Sequence, residues 1–303
     1  MSERKPERLV DLLNTLRGAR AGLESKMNRS HALYYNEHVA GVPALPAGVE
    51  PYRSSRARTL IDNLVDQIRT DEPSVSFQRR GSRKEDDKHK DLMELWGQNV
   101  MERLAVQTTI PPAEQSKRDL AILAASAVKF QVVMDVLPEP PERSSHKTDE
   151  GFKRALKKWR DARASTWPFK VIAIDPRRVY IAPGSRKPPL YVLEVQERRA
   201  ADMWIEFPDW PDPLASPKGK NNPARPILWL EYWSADHYII EADGYRVHDG
   251  ANPYGFVPYV WEYSGHGRAD ATSDQAYLGE PLLESIRGEL EAEIRVTTAF
   301  DLQ

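Results

Sequence analysis

ILWLEYWSADHYIIEADGYRVH, residues 227–248, decides the fold class of this chain. Three runs rich in β-branched and aromatic residues, Ile227–Ser234, His237–Ala242 and Tyr245–His248, follow one another with two-residue breaks between them. Such side chains suit a pleated, half-buried surface. An Asp-Gly break at Asp243-Gly244 between two such runs is a hairpin signal. The same texture continues on both sides: FKVIAID from Phe169, RVYIA from Arg178, LYVLEVQE from Leu190 and VPYVWEY from Val257. Turn signals at Asp175-Pro176, Pro183-Gly184, Asp249-Gly250 and Asn252-Pro253 divide these runs. Residues 169–265 are therefore expected to form a mostly antiparallel β region, interrupted by an irregular insertion between Pro208 and Pro226 that holds six prolines.

Upstream the periodicity is helical. Leu9, Leu12, Leu13, Leu16, Leu23 and Met27 predict a long helix from about Glu7 to Asn36. Prolines 43, 46 and 51 close it. A second helix carries Leu60, Ile61, Leu64, Val65 and Ile68 on one stripe and stops before Pro73; Ser74–Arg79 alternates as a short strand. A charged helix is expected to turn Leu92, Met93, Trp96, Val100 and Leu104 inward. Pro111-Pro112 opens another helix, which runs into a strand with Phe130, Val132, Met134 and Val136 at alternate positions. Leu137–Glu150 is rich in proline and serine, and a basic helix from Gly151 to Ala164 follows. From about Ser273 the helical pattern returns through Leu282, Leu283, Ile286, Leu290 and Ile294. It reaches Phe300 without a capping glycine or proline, which reads as a helix that continues in a longer protein. The expected fold is α+β, divided into a helical region 1–136, a linker with the basic helix 137–168, the β region 169–265 and the start of a further helix 266–303.

Composition narrows the chemistry. The 303 residues are 29% charged and 40% hydrophobic, with a formal net charge of −2. That describes a globular chain with no global basic field to recruit nucleic acid. A mean hydropathy of −0.62 fits long exposed helices or polar surfaces that become interfaces. With no cysteine, disulfides, thiolate zinc sites and cysteine nucleophiles are excluded. No apolar run approaches a membrane span and the N-terminus has no signal-peptide pattern, so the expected site of synthesis is the cytoplasm.

No catalytic motif stands out. The seven histidines, 31, 38, 89, 146, 237, 248 and 266, have no partners at metal-binding spacing. Phosphate-binding glycine loops and nucleophile elbows are missing. Glu194 and Glu197 lie on a strand-like run with no lysine placed beside them for a nuclease-type metal set. Asp236, Glu241 and Asp243 read as solvated hairpin ends. The expectation is no catalytic residue, no cofactor and no metal. The basic helix carries Lys153, Arg154, Lys157, Lys158, Arg160 and Arg163 around Phe152, Leu156 and Trp159. It is either a solvated face with its apolar side in the core or a contact for phosphate or an acidic partner, with Lys153, Lys157 and Arg160 as candidates. Tryptophans 204, 210, 229, 233 and 261 suit sheet packing or a subunit interface.

Several pieces occur in a fixed order: Tyr34-Tyr35-Asn36; a helix from Arg58 through Asp62 to Val65; Pro73-Ser-Val75; a charged helix with Trp96; and a helix-to-strand run from Asp119 to Phe130. Ile174-Asp175-Pro176-Arg-Arg-Val179, Glu231–Asp236 and Asn252-Pro253-Tyr-Gly255-Phe-Val-Pro258 follow. This order resembles the N-terminal half of portal proteins of tailed double-stranded DNA phages. The N/H-P-Y/F-G-x-V-P turn is its most specific piece and the D-P-x-x-V step the next. Ala124-Ala125-Ser126 departs from the family, which usually carries a glycine-containing step there.

The resemblance implies a helical and β-rich wing, a last helix leading toward a stem, and a homo-oligomeric ring, usually twelve-fold, at one capsid vertex. It implies double-stranded DNA passing non-specifically through the ring during packaging and ejection, and terminase, major capsid, scaffolding and head-tail connector proteins as partners. The location implied is the virion, with assembly in the host cytoplasm. No catalysis is implied. In such a ring the residues from Ala276 to Gln303, six acidic against two basic, a net charge of −4, would repel phosphate near a channel, or be solvated and paired along the helix. Arg287, Leu290, Glu291 and Arg295 are the subunit-interface candidates. Another ring-forming head-tail connector and, in a different class, a metal-dependent phage nuclease or hydrolase are the alternatives.

Overall fold

The computed structural model describes residues 5–37, 52–68, 76, 84–106, 108–133, 136–182, 189–211, 222–265 and 279–300. The order is α1 (Leu9–Tyr34), α2 (Arg56–Gln67), α3 (Lys84–Ala105), α4 (Pro112–Leu123), β1 (Ala125–Val132), α5 (Asp149–Ser165), β2 (Phe169–Ile174), β3 (Val179–Ile181), β4 (Tyr191–Arg199), α6 (Ala200–Glu206), β5 (Pro226–Ser234), β6 (His237–Ala242), β7 (Tyr245–Ala251), β8 (Tyr259–Tyr263) and α7 (Arg287–Phe300). The fold is α+β, with every described strand pairing antiparallel. The strand expected at Ser74–Arg79 and the loop at Pro43–Pro51 lie outside the described residues, apart from Ser76, which is exposed.

Two sheets form. β3-β4-β5-β6-β7 is a meander, and β2-β1-β8 is a three-stranded sheet with β1 at its centre. The Asp243-Gly244 break turns β6 into β7 with both residues at positive φ, 47° and 81°, the backbone a two-residue hairpin requires. The first and last strands of the β region, β2 and β8, leave the meander to flank β1, which sits between α4 and the linker in the chain.

α1 straps the two sheets together. Its 26 residues span about 39 Å at 1.5 Å each. Leu9, Leu13 and Leu16 pack on Tyr180, Leu193, Leu230, Tyr232 and Ile239 of the meander. Leu23, Met27, Leu33 and Tyr34 join Ile61, Val65, Ile122, Ala127, Trp261, Leu283, Leu290 and Ile294 in the main core. Glu241 closes the helix start: its Oε2 accepts from the Leu9 amide at 2.5 Å, where a carboxylate also suits the helix dipole. Glu241 is therefore buried, 3% exposed, not the solvated hairpin end the sequence suggests. Burial pushes its carboxyl above the usual range. In the middle of α1, buried Arg20 donates to the carbonyls of Pro176 at 3.0 Å, Val179 at 2.5 Å and Arg177 at 2.7 Å, with its guanidinium over the Tyr180 ring. Arg20 thus holds the turn that contains the Asp175-Pro176 step.

α4 ends at Ala124 in left-handed backbone, φ 61°, the geometry that favours glycine at a helix C-terminus. The chain makes this sharp exit with an alanine. Ala124 is fully buried. Its carbonyl accepts from Ser264 and lies 2.7 Å from where a Cβ on Gly279 would sit, so only glycine fits at 279.

α3 corrects one expectation. Leu92 and Trp96 are 64% and 54% exposed and do not face inward, and Leu95 beside them is 61% exposed. The inward stripe is Met93, Gly97, Val100 and Leu104, with Gly97 buried and the others half-buried. On α2, Ile61 and Val65 are buried while Leu60 and Ile68 stay exposed. Trp210, Trp229, Trp233 and Trp261 are buried within the chain.

The Asn252–Val260 turn is built around Asn252, whose Nδ2 donates to the carbonyls of Ser234 at 2.6 Å and Phe256 at 2.7 Å while its Oδ1 accepts from Tyr254 N at 2.9 Å. Gly255 takes φ 66° with open space where a Cβ would be, so substitution there meets backbone strain alone. Gly255→Val is expected to lower stability by about 1–3 kcal/mol, and Gly255→Asn, which tolerates left-handed backbone, by less. Thermal melts of the two variants check this; equal melting temperatures would contradict it.

Candidate functional site

Three of the ordered sequence pieces converge on one cleft of about 330 Å³ between the end of α1, α4 and the turn after β2. α1 contributes His31 and Tyr35, stacked at 4.5 Å between ring centres, and Asn36 follows at φ 55°. α4 contributes Gln115 and Asp119. The turn after β2 contributes Asp175 and Arg177, and Ile122, Leu123 and Ile172 line the apolar part. Behind this wall Tyr34 donates to Asp62 at 2.8 Å, and Arg118 and Arg58 lie within 3.7 Å and 3.5 Å of the same carboxylate.

The two carboxylates of the cleft differ. Asp175 is held from both sides: its Oδ1 accepts from the Arg177 amide at 2.9 Å and its Oδ2 from Arg177 Nη2 at 2.7 Å. Burial alone would raise it, but the Arg177 contacts outweigh burial and hold its carboxyl below the usual range. Asp119 is 6% exposed and accepts from Gln115 Nε2 at 2.8 Å on Oδ1; its Oδ2 accepts nothing from the described residues. Burial pushes its carboxyl up to about 7, against the Gln115 hydrogen bond and with help from the Asp175 charge.

The sign of the consequence follows. Asp119 protonates more easily folded than unfolded, so its contribution is most favourable below about pH 4 and is lost as pH rises through 7. Asp119→Asn keeps an acceptor for Gln115 and removes the ionisation. It is expected to stabilise the protein on the order of 2–4 kcal/mol at pH 8 and to change little at pH 4. Urea melts at the two pH values measure the difference; a variant equally shifted at both would show that burial of the charge is not the cause.

The interface candidates at the C-terminal helix are placed mostly inside this chain's own structure. Leu290 is 3% exposed and packs in the main core with Leu283 and Ile294, so its substitution tests folding and not assembly. Arg287 lies between Glu284 at 3.5 Å and Glu291 at 3.6 Å. Exposed Arg295 donates to the Glu291 carbonyl at 3.2 Å. Glu284 also pairs with Arg29 at 2.7 Å and Glu293 with Arg56 at 3.3 Å, so part of the acidic face is used within the chain.

On α5, Lys153, Lys157 and Arg160 are exposed, and no ion pair holds any of them among the described residues. The opposite side, Phe152, Leu156 and Trp159, is only half-buried, with Trp159 Nε1 donating to the Pro138 carbonyl at 2.8 Å. α5 has no fully buried residue and lies at the periphery, cationic face outward.

A charged network went unread in the sequence. Glu194 and Glu231 stand directly opposite each other on β4 and β5. Lys129 reaches them from β1 in the other sheet, at 3.0 Å and 2.5 Å, with all three side chains 3–7% exposed. Tyr259 donates to Glu194 at 2.5 Å and Trp233 Nε1 to Glu231 at 2.6 Å; Gln196 donates to the other Glu194 oxygen. Burial beside these carboxylates drives the Tyr259 hydroxyl well above its usual range. A lysine does stand beside Glu194, but 65 residues earlier in the chain. The signal available was a lone lysine in the apolar strand KFQVV, at the alternate position to Phe130.

Among the described residues no group of three or more histidine, aspartate and glutamate side chains is arranged to hold a metal, and no helix is long and apolar enough to cross a membrane. The chain matches no protein-family model and no curated protein.

Proposed function

We propose that this chain is a portal-type subunit of a tailed-phage particle, forming a ring of about twelve copies at one capsid vertex. In this reading double-stranded DNA passes through the ring, and terminase, capsid, scaffolding and connector proteins dock on it. The observation that carries the assembly part is the outward apolar stripe of α3. Leu92, Leu95 and Trp96 are each more than half exposed and adjacent on one helix face, and a contiguous apolar patch of this kind marks a protein contact. A ring needs two different faces per subunit, meeting head to tail. A second cleft of about 300 Å³ between α2 and the start of the C-terminal helical segment, lined by Leu60, Leu64, Leu282 and Ile286, is a fitting recipient for the α3 stripe of the next copy.

The proposed function involves no catalytic step. Among the described residues the nuclease alternative finds its best residue types in Glu194, Glu231 and Lys129, but these are enclosed and hydrogen-bonded to Tyr259 and Trp233, which leaves no approach for a phosphodiester there. Electron-microscope images of the purified protein test the proposal: rings with a central hole, seen end-on, are expected. A strictly monomeric protein at high concentration and moderate salt would refute it.

A further inference from the structure

We propose that the cleft between α1, α4 and the turn after β2 is a binding site for a compact organic cation, an ammonium or guanidinium group on a short apolar stem. The site goes beyond the ring reading and does not depend on it. Its volume, about 330 Å³, lies at the small end of ligand pockets. Its polar groups are unequal in donors and acceptors. Arg177 is engaged with Asp175 through Nε and Nη2, whereas Asp119, 6% exposed, presents an oxygen that accepts nothing from the described residues. The vacant function is thus an acceptor that becomes a full negative charge. Ile122, Leu123 and Ile172 offer an apolar wall for a stem, and the exposed Tyr35 ring stands at the same cleft, where an aromatic face attracts a cation. An anion would meet Asp119 and Asp175 and find Arg177 already paired.

Binding should be tied to protons. The groups facing Asp119 are Gln115 and Arg118 on its own helix, Asp175 and Arg177 on the turn, and His31 and Tyr35 on α1, with Asp62 and Arg58 behind Arg118. Its carboxyl is pushed up to about 7, and a cation bound beside it favours the ionised form. At pH 6 only about a tenth of the molecules hold the ionised form and at pH 8 about nine-tenths, so affinity falls about tenfold between pH 8 and pH 6.

The test is calorimetry of the full chain with n-butylammonium and n-butylguanidinium, with n-butanol and butyrate as controls. Saturable binding of the cations is expected, about tenfold weaker at pH 6 than at pH 8, with proton release on binding at pH 7. Asp119→Asn should abolish it, and Tyr35→Leu, a change at an exposed position, should weaken it about threefold. No saturable binding, equal binding of butyrate, unchanged affinity in Asp119→Asn or no pH dependence would each overturn the proposal. The source of the natural cation separates in a second arm with Trp96→Asp, an exposed change meant to disperse assemblies. Equal binding by dispersed and assembled protein identifies a free ligand. Binding by the dispersed protein alone identifies a basic side chain of a neighbouring copy. Probe binding by neither species again rejects the site.

Discussion

In the proposed ring, Trp96→Asp and Leu60→Asp are each expected to abolish assembly, and an equimolar mixture of the two variants to form pairs that cannot close. Trp96 is on the outward α3 stripe and Leu60 lines the groove beside α2; they are 54% and 43% exposed, so neither change touches the core and both proteins should fold. A head-to-tail contact uses one stripe and one groove. The Trp96→Asp copy keeps its groove and the Leu60→Asp copy keeps its stripe, so one intact contact exists between them and none within either species. Loss of a buried aromatic anchor alone costs about 2–4 kcal/mol per contact, and a carboxylate without a partner adds to that. Repeated at every contact of a ring, this leaves no closed assembly. Mass photometry of each variant and of the mixture reads the outcome. Rings from either variant would remove that face from the interface. A mixture of strict monomers, with each variant alone also monomeric, would show that the two faces do not meet each other. Normal assembly of Leu60→Asp beside failure of Trp96→Asp would point to stripes meeting stripes.

Lys129→Met will destabilise the protein by about 3–5 kcal/mol, because it leaves two buried carboxylates facing each other without their cation. Glu194 and Glu231 are opposed across β4 and β5, a like-charge arrangement that is unfavourable by itself. Lys129 lies within 3.0 Å of both, and Tyr259, Trp233 and Gln196 hydrogen-bond the same two glutamates. The lysine also joins the two sheets, since it belongs to β1 and the glutamates to the meander. The triple change Lys129→Met, Glu194→Gln, Glu231→Gln should recover much of the loss, because neutral amides can still accept from Tyr259 and Trp233. Denaturant melts of the single and triple variants measure both effects. A Lys129→Met protein as stable as the parent, or a triple variant no better than the single one, would show that unpaired charge is not what the lysine prevents.

Much of the fold was legible locally. The 3.6-residue spacing from Leu9 to Met27 marks α1 because one stripe faces one core along its length, and the aromatic and β-branched runs with an Asp-Gly break mark the meander because a two-residue hairpin has few solutions. α3 was legible as a helix but not in its facing: with Leu92, Met93, Leu95, Trp96, Val100 and Leu104 spread over about half of its circumference, periodicity allows two inward stripes. The tertiary packing takes the one through Gly97, which is buried. The cleft was legible only as pieces, since Tyr35, Asp119 and Asp175 are far apart in sequence and their meeting depends on how α4 and the turn held by Arg20 pack against α1.

The sequence by itself determined most of the helices and strands, the Asp243-Gly244 hairpin and the glycine-dependent turn at Gly255, because each follows from side-chain spacing or backbone sterics within a few residues; it did not show helix α6 inside the β region, nor that the last α-helix begins at Arg287 after a 3-10 turn at Leu282–Glu284. Only the tertiary structure decided that β1 is the centre of a sheet closed by β2 and β8, that Glu241 caps α1, that Leu290 serves this chain's own core, and that Lys129 is buried between Glu194 and Glu231. Those outcomes depend on partners far along the chain, from 37 residues away in the β1–β2 pairing to 232 at the cap of α1. A buried charge is tolerated only where an opposite charge meets it, and the chain's local pattern does not contain that meeting.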